Sequence, residues 1–151
     1  MDWNQAIEEY KSYLKIERGL SSNSIASYEN DIASLKNYIL DNNIKESPIQ
    51  CGPDTINSFI YNSSKKNSPR SQARKISGLK SFFKFLVFEG YLKISPVLNI
   101  ESPKLGRKLP DILNIEEISN MIRSIDINEK YGQRNKAIIE VLYGTGVRVS
   151  E

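Results

Sequence analysis

Apolar residues recur every three to four positions along most of this chain, and the pattern breaks at glycine, proline and serine. That period belongs to amphipathic helices. The spacing predicts a first helix from about Asp2 to Arg18, striped by Trp3, Ile7, Tyr10 and Leu14. Gly19 stops it, and Leu20 can fold back in a Schellman-like end. Ser21 or Ser22 caps a second helix running to about Leu40. Its stripe is Ile25, Tyr28, Ile32, Leu35 and Ile39, with Ser27, Asn30, Ser34 and Asn37 opposite. Residues 44–52 read as a loop. Pro53 suits the first position of a short third helix, with Ile56, Phe59 and Ile60 inward.

The stretch from Asn62 to Pro69 is polar and basic and reads as a loop. A fourth helix from about Arg70 to Phe88 follows. Ala73, Ile76, Leu79, Phe82, Phe83, Leu86 and Val87 give it a wide apolar face. Ser71, Arg74, Gly78 and Ser81 are expected opposite, flanked by Lys75, Lys80 and Lys84. Glycine inside a helix costs about 1 kcal/mol relative to alanine, so Gly78 calls for a close neighbour, for which another backbone is a candidate. Gly90 ends this helix. Pro96, Pro103 and Pro110 then forbid a continuous helix across 91–113, which reads as a linker with one turn near Pro96–Asn99. Beyond it, Asn114 and Glu117 form a capping-box pattern for a helix to about Ser124, striped by Ile115, Ile118, Ile122 and Ile125. A last helix, about Gln133 to Tyr143, stops at Gly144 and Gly146. Arg148 follows between Val147 and Val149, and Ser150 with Glu151 resembles a further helix start. No strand and no internal repeat is expected.

Charge sharpens this outline. The 151 residues sum to +3, but residues 1–60 carry −4, residues 61–110 carry +9 and residues 111–151 carry −2. A basic middle between acidic flanks is a patch, and polyanions, above all nucleic acid, are its usual partners. A basic face with small residues on the fourth helix suits a DNA groove. Lys104, Arg107 and Lys108 on an extended linker suit a line of phosphates. Composition closes other routes. There is no histidine, which removes most zinc sites and the usual general base. The single cysteine, Cys51, cannot form an internal disulfide. No apolar run approaches the length of a membrane span, and the N-terminus has no signal-peptide pattern. The expectations are a cytoplasmic protein with no membrane, no cofactor, no metal and no small-molecule ligand.

Several ordered blocks resemble a known family. Arg18-Gly19-Leu20-Ser21-Ser22-Asn23-Ser24-Ile25, followed by Tyr28 and Asp31, is similar to the entry motif of the core-binding domain of Xer-type tyrosine recombinases, in the phage integrase family. Ser71 to Leu86 resembles that domain's signature helix. Ser95-Pro96-Val97 and Ser102-Pro103-Lys104 resemble its lead into the linker. Lys108-Leu109-Pro110, Glu116-Glu117 and the run from Gln133 to Glu151 resemble the opening of the catalytic domain. Ser24 stands where threonine is common, and Val147 where leucine is commoner.

The resemblance implies an all-α fold: an orthogonal, SAM-like bundle of four to five helices over 1–99, a linker over 100–113, and the first helices of a truncated catalytic domain over 114–151. It implies a parent enzyme that clamps duplex DNA between two domains, cuts it through a 3′-phosphotyrosyl link and rejoins it, with no metal or ATP. Partner recombinase protomers would join it in a synaptic tetramer. Arg148 falls at the family's first active-site arginine. The other active-site groups, the nucleophilic tyrosine included, fall after residue 151 in this pattern, so the chain is expected to bind DNA without cleaving it. A guanidinium fork suits the charge that builds on non-bridging oxygens during phosphoryl transfer. The candidate DNA contacts are Ser21, Asn23, Ser24, Lys65, Lys66, Arg70, Ser71, Gln72, Arg74, Lys75, Gly78, Ser81, Lys104, Arg107 and Lys108. A chain starting at the first core helix favours the chromosome-dimer resolution type over an integrase of a phage or mobile element. A helical protein–protein interaction module, docking an acidic partner on the basic face, is the competing reading from another class.

Overall fold

A computed structural model describes residues 1–65, 67–106 and 112–150. These residues form six helices and no strand, the all-α class expected. The helices are α1 (Trp3–Ile16), α2 (Ser22–Asp41), α3 (Pro53–Ser64), α4 (Pro69–Phe88), α5 (Ile115–Arg123) and α6 (Gly132–Thr145). The chain divides into two compact units, Met1–Gly106 and Arg107–Glu151.

In the first unit, α2 touches α1, α3 and α4, and α4 also packs on α3. The apolar stripes meet where the four helices converge. Trp3, Ile7, Tyr10 and Leu14 of α1 are buried, as are Ile32, Leu35 and Ile39 of α2. Phe82 and Phe83 of α4 are fully enclosed. The Tyr10 and Phe82 rings meet edge to face at 5.3 Å, and Trp3 stacks on Phe82 at 6.3 Å. Burying side chains of this size stabilises by roughly 1.5–3 kcal/mol each.

Helix ends follow their capping residues. Asp2 Oδ1 accepts from Gln5 N–H at 2.8 Å, and Ser21, rather than Ser22, caps α2 by accepting from Ser24 N–H at 3.3 Å. Ser68 caps α4, with Pro69 in the first turn. Gly19 and Gly90 both turn left-handed, and Leu20 and Leu92 each donate back six residues, to Leu14 and Leu86. Leu20 thus folds back after α1 as expected, through a bond one residue longer than the five-residue return of a Schellman motif, and Leu92 does the same after α4.

Two expectations about loops change. Helix α3 continues to Ser64, through residues read as loop. Ser63 is buried there, and its Oγ accepts from Asn67 Nδ2 at 2.7 Å and Lys75 Nζ at 3.2 Å, which holds the polar turn against the bundle. The linker-like stretch after α4 begins by packing on the core. Pro96–Asn99 turns as expected, Val97 is buried and Ile100 packs beside it. Trp3 Nε1 donates to Glu46 C=O at 2.9 Å and ties the loop before α3 to α1. Cys51 is buried in that loop. Burial, reinforced by the Glu46 carboxylate, pushes its thiol up to about 12, so it is a packing residue and not a nucleophile.

In the second unit, α5 packs on α6. The capping box forms: Asn114 N–H donates to Glu117 Oε2 at 2.7 Å, and Glu117 N–H donates to Asn114 Oδ1 at 2.9 Å. Helix α6 runs through Gly144 to Thr145. Only Gly146 takes the left-handed conformation, with φ +66°, and its N–H closes on Leu142 C=O at 3.0 Å. The stop expected of two glycines is thus the work of one. Ile115 of the expected α5 stripe is exposed, and Ile118, Ile122 and Ile125 are half-buried.

No helix among the described residues is long and apolar enough to cross a membrane. They hold no group of three or more His, Cys, Asp or Glu side chains able to ligate a metal.

Candidate nucleic-acid interface

Helix α4 contains five cations and no acidic residue. Its buried arc runs through Ile76, Gly78, Leu79, Phe82, Phe83, Phe85 and Leu86. That arc is rotated from the one read off the sequence. It takes in Gly78 and Phe85, and it leaves Ala73 and Val87 half-buried. The open face is a row of Arg70, Arg74, Ser77, Lys80 and Lys84, all exposed, with Ser81 half-buried at its edge. From Arg70 to Lys84 the row spans roughly 21 Å at 1.5 Å per residue. Lys80 and Lys84, expected only as flanking charges, therefore belong to the row itself.

Gly78 is not a surface contact. It is buried, and a Cβ there would sit 2.5 Å from Asp31 Oδ2 and 3.0 Å from Asp31 Cβ and Cγ. The close neighbour is the Asp31 side chain of α2, rather than a backbone or a DNA groove. Asp31 is 2% exposed, an enclosed carboxylate that requires pairing. Arg74 supplies it, with Nη1 donating to Oδ2 at 2.8 Å and Nη2 to Oδ1 at 2.7 Å. Nη1 also donates to Ser27 Oγ at 2.7 Å. Arg74, expected on the face opposite the core, is thus anchored along one edge while its side chain remains 53% exposed. Ser24, Ser27, Tyr28, Asp31, Arg74 and Ser77 line a cleft of about 190 Å³ at this point.

Burial raises the Asp31 carboxyl above its ordinary 3.8, and the Arg74 charge and hydrogen bonds oppose that rise. A raised acid favours the folded state most below the ordinary value, and that contribution fades as pH climbs through the raised one. Removing Arg74 removes the opposing influence. Arg74→Ala should therefore destabilise little near pH 4 and progressively more toward pH 7, reaching about 1–3 kcal/mol; the half-exposed guanidinium keeps it below the full value of a buried pair. Urea unfolding at the two pH values checks this. A gap that does not change with pH would contradict it.

The other expected contacts are scattered. Ser21, the cap of α2, and Asn23 in its first turn are exposed, and Ser21 Oγ lies 3.1 Å from the half-buried Ser24 Oγ. Ser71 is exposed with its Oγ 3.0 Å from Ser68 Oγ, and Gln72 is half-buried. Lys65 is exposed, its Nζ 4.6 Å above the Tyr61 ring. Lys75 turns inward instead, donating to Ser63 and resting 5.4 Å over Phe59, which removes it from the open row. Ser81 borders the core at Tyr10, whose buried hydroxyl lacks a well-formed hydrogen bond; Ser81 is near enough to ease that burial without a full bond. Lys104 is exposed in a stretch without regular structure. Lys66, Arg107, Lys108 and Glu151 lie outside the described residues. In the second unit, Arg148 is exposed two residues past the Gly146 turn, and Val149 with Ser150 forms a turn.

The sequence reading places Asp31 in the entry motif but gives it no role in the site. The signal was present: Asp31 falls three residues after Tyr28 and four before Leu35, on the apolar stripe of α2, where a carboxylate demands a partner.

Residues 7–90 match the family described as phage integrase, N-terminal SAM-like domain. The chain is 35% identical over 149 residues to a tyrosine recombinase XerD of Listeria innocua, an alignment covering 98% of this chain and 50% of that one. It is 40% identical over 147 residues to a tyrosine recombinase XerD of Oceanobacillus iheyensis, covering 97% and 49%. The chain thus spans about half the length of the curated relatives it matches. Among solved structures, it is similar to a XerA recombinase with a TM-score of 0.53 at 26% identity, covering 99% of this chain and 49% of that one. An integrase from mycobacterium phage Brujita shares the fold with a TM-score of 0.58 at 18% identity, covering 96% and 46%.

Proposed function

The chain belongs to the phage integrase N-terminal SAM-like domain family, and from that membership we propose that it is the DNA-binding portion of a tyrosine site-specific recombinase. Residues 1–99 grip duplex DNA, residues 100–113 link, and residues 114–151 open the catalytic domain. The observation that carries this reading is the open face of α4, where Arg70, Lys80 and Lys84 stand exposed on a helix without one acidic residue. Such a row binds phosphates and releases their counterions.

Cleavage is assigned to the whole parent enzyme. There a tyrosine attacks the scissile phosphate, and Arg148 binds the non-bridging oxygens on which charge develops. A lysine would serve less well, because it lacks the fork. The 151-residue chain binds duplex DNA and does not cut it. The names of the curated relatives support the Xer type, which acts in the cytoplasm, over an integrase of a phage or mobile element. Assembly into a synaptic tetramer with partner protomers belongs to the same proposal.

Fluorescence anisotropy with a labelled duplex of about 30 base pairs tests the interface. Replacing Lys80 and Lys84 together by alanine should weaken binding at least tenfold near 0.1 M salt. It should also flatten the salt dependence of log K by about two contacts. Glu17→Ala, at an exposed acid just past the end of α1, should leave affinity unchanged or slightly tighter. Equal affinities for the double variant and the unaltered chain would remove α4 from the interface.

A further inference from the structure

The anchored arginine on α4 has a second edge. A guanidinium carries five N–H donors, arranged so that carboxylates or phosphates can be held bidentately along more than one side. In Arg74, one hydrogen on each terminal nitrogen grips Asp31, and the other Nη1 hydrogen goes to Ser27. The Nε–H and the second Nη2–H remain. They lie on the same side of the planar group and form a second fork, without a protein partner among the described residues. The side chain as a whole is 53% exposed, which leaves room for a ligand beside it.

The surroundings suit a phosphate. The cleft at Arg74 is lined by Ser24, Ser27, Ser77 and Tyr28, each of which carries a hydroxyl. Its one carboxylate, Asp31, is already held by the guanidinium and is almost wholly buried. Asp31 in turn cannot drift. The absence of a Cβ at Gly78 lets α2 and α4 approach until the carboxylate lies in the gap. A long, flexible arginine is thereby fixed in one orientation before any ligand arrives, which lowers the ordering loss on binding.

We propose that Asp31 is a positioning residue for DNA binding: seated against Gly78, it holds one fork of Arg74 and aims the other at a backbone phosphate in the serine-lined cleft. This rests on the DNA-binding function proposed above. It makes an unusual demand, since a buried acid is assigned a favourable part in binding a polyanion.

The sign of one substitution separates positioning from bulk charge. Asp31→Asn removes a negative charge, so charge alone requires tighter binding to DNA. Positioning requires weaker binding, at least fivefold by anisotropy with a fluorescent duplex, using the full chain at a temperature where Trp3 fluorescence shows it folded. In an Arg74→Ala background the same Asp31→Asn change should no longer weaken binding, because Asp31 acts only through the arginine. A purely structural role for Asp31 would weaken both backgrounds alike. Arg74→Lys keeps the charge and loses the fork. It should also bind at least fivefold more weakly, and it serves as the test if Asp31→Asn does not fold. Unchanged or tighter binding by the folded variants, or equal loss in both backgrounds, overturns the positioning role and leaves the DNA-binding function standing. An unaltered chain that fails to bind duplex at low salt overturns both.

Discussion

Replacing Phe82 with alanine should lower the stability of the first unit by about 3–5 kcal/mol, the largest single effect expected in this chain. Phe82 has no solvent exposure, and its ring lies against those of Trp3, Tyr10, Phe83 and Phe85. Truncation removes the apolar area and leaves a cavity among aromatic rings that cannot close without disturbing α1 and α4. Trp3 is the only tryptophan and stacks on Phe82, so its fluorescence reports unfolding of this unit. The urea midpoint should fall sharply, on a domain whose whole stability is typically about 5–15 kcal/mol. Phe88 supplies the contrast on the same helix. It is 69% exposed, and Phe88→Ala should change stability by only about 0.5 kcal/mol. Similar losses for the two variants would mean that the aromatic cluster is not the centre of the fold.

Gly78→Ala should also destabilise, against the trend of helix propensity. In an ordinary helix interior this change gains about 1 kcal/mol. Here the new methyl group would lie 2.5 Å from Asp31 Oδ2, a distance that forces the carboxylate away. Asp31 cannot move without loosening its two hydrogen bonds to Arg74. The expected net loss is about 1–3 kcal/mol, from overpacking and a weakened pair together. The cause is testable by a second substitution. In an Asp31→Ala background the Oδ2 and Cγ contacts disappear, so Gly78→Ala should cost much less or become stabilising. A coupling above about 1 kcal/mol between the two sites supports the account. Additive effects would show that Gly78 answers to something else.

Much of the first unit was legible in the sequence, because its helices announce themselves by period and by caps. Trp3, Ile7, Tyr10 and Leu14 are at helical spacing and all are buried. The Asn114–Glu117 capping box was readable because both partners lie within one turn of chain. What was not legible is what crosses between helices. Gly78 was read as a surface residue because its small size and its neighbours Arg74 and Ser81 resembled a contact face. Only the approach of α2 shows that Gly78 accommodates Asp31, 47 positions earlier in the chain. Lys75 was misplaced for a related reason: its partners, Ser63 and Phe59, belong to a helix that was expected to end sooner. Local rules give the helices and their ends, whereas the rotation of each helix about its axis depends on neighbours that sequence period does not identify.

The same lesson reshapes the candidate interface. The sequence offered a basic segment and a run of candidate contacts. The structure sorts the basic candidates on α4 and Gly78 into three groups: Arg70 in the open row with Lys80 and Lys84, Arg74 held by an acid, and Lys75 and Gly78 turned to the interior. Arg148 belongs to the second unit, where it follows the Gly146 turn at the end of α6.

The most direct test of the central claim is the affinity of the full chain for duplex DNA as salt is raised from about 50 to 200 mM. If the first unit grips DNA through about four backbone phosphates, affinity should fall about a hundredfold over that range, along a straight line in log K against log salt. An affinity that stays constant across the range, or no binding at the low end, would contradict the assignment.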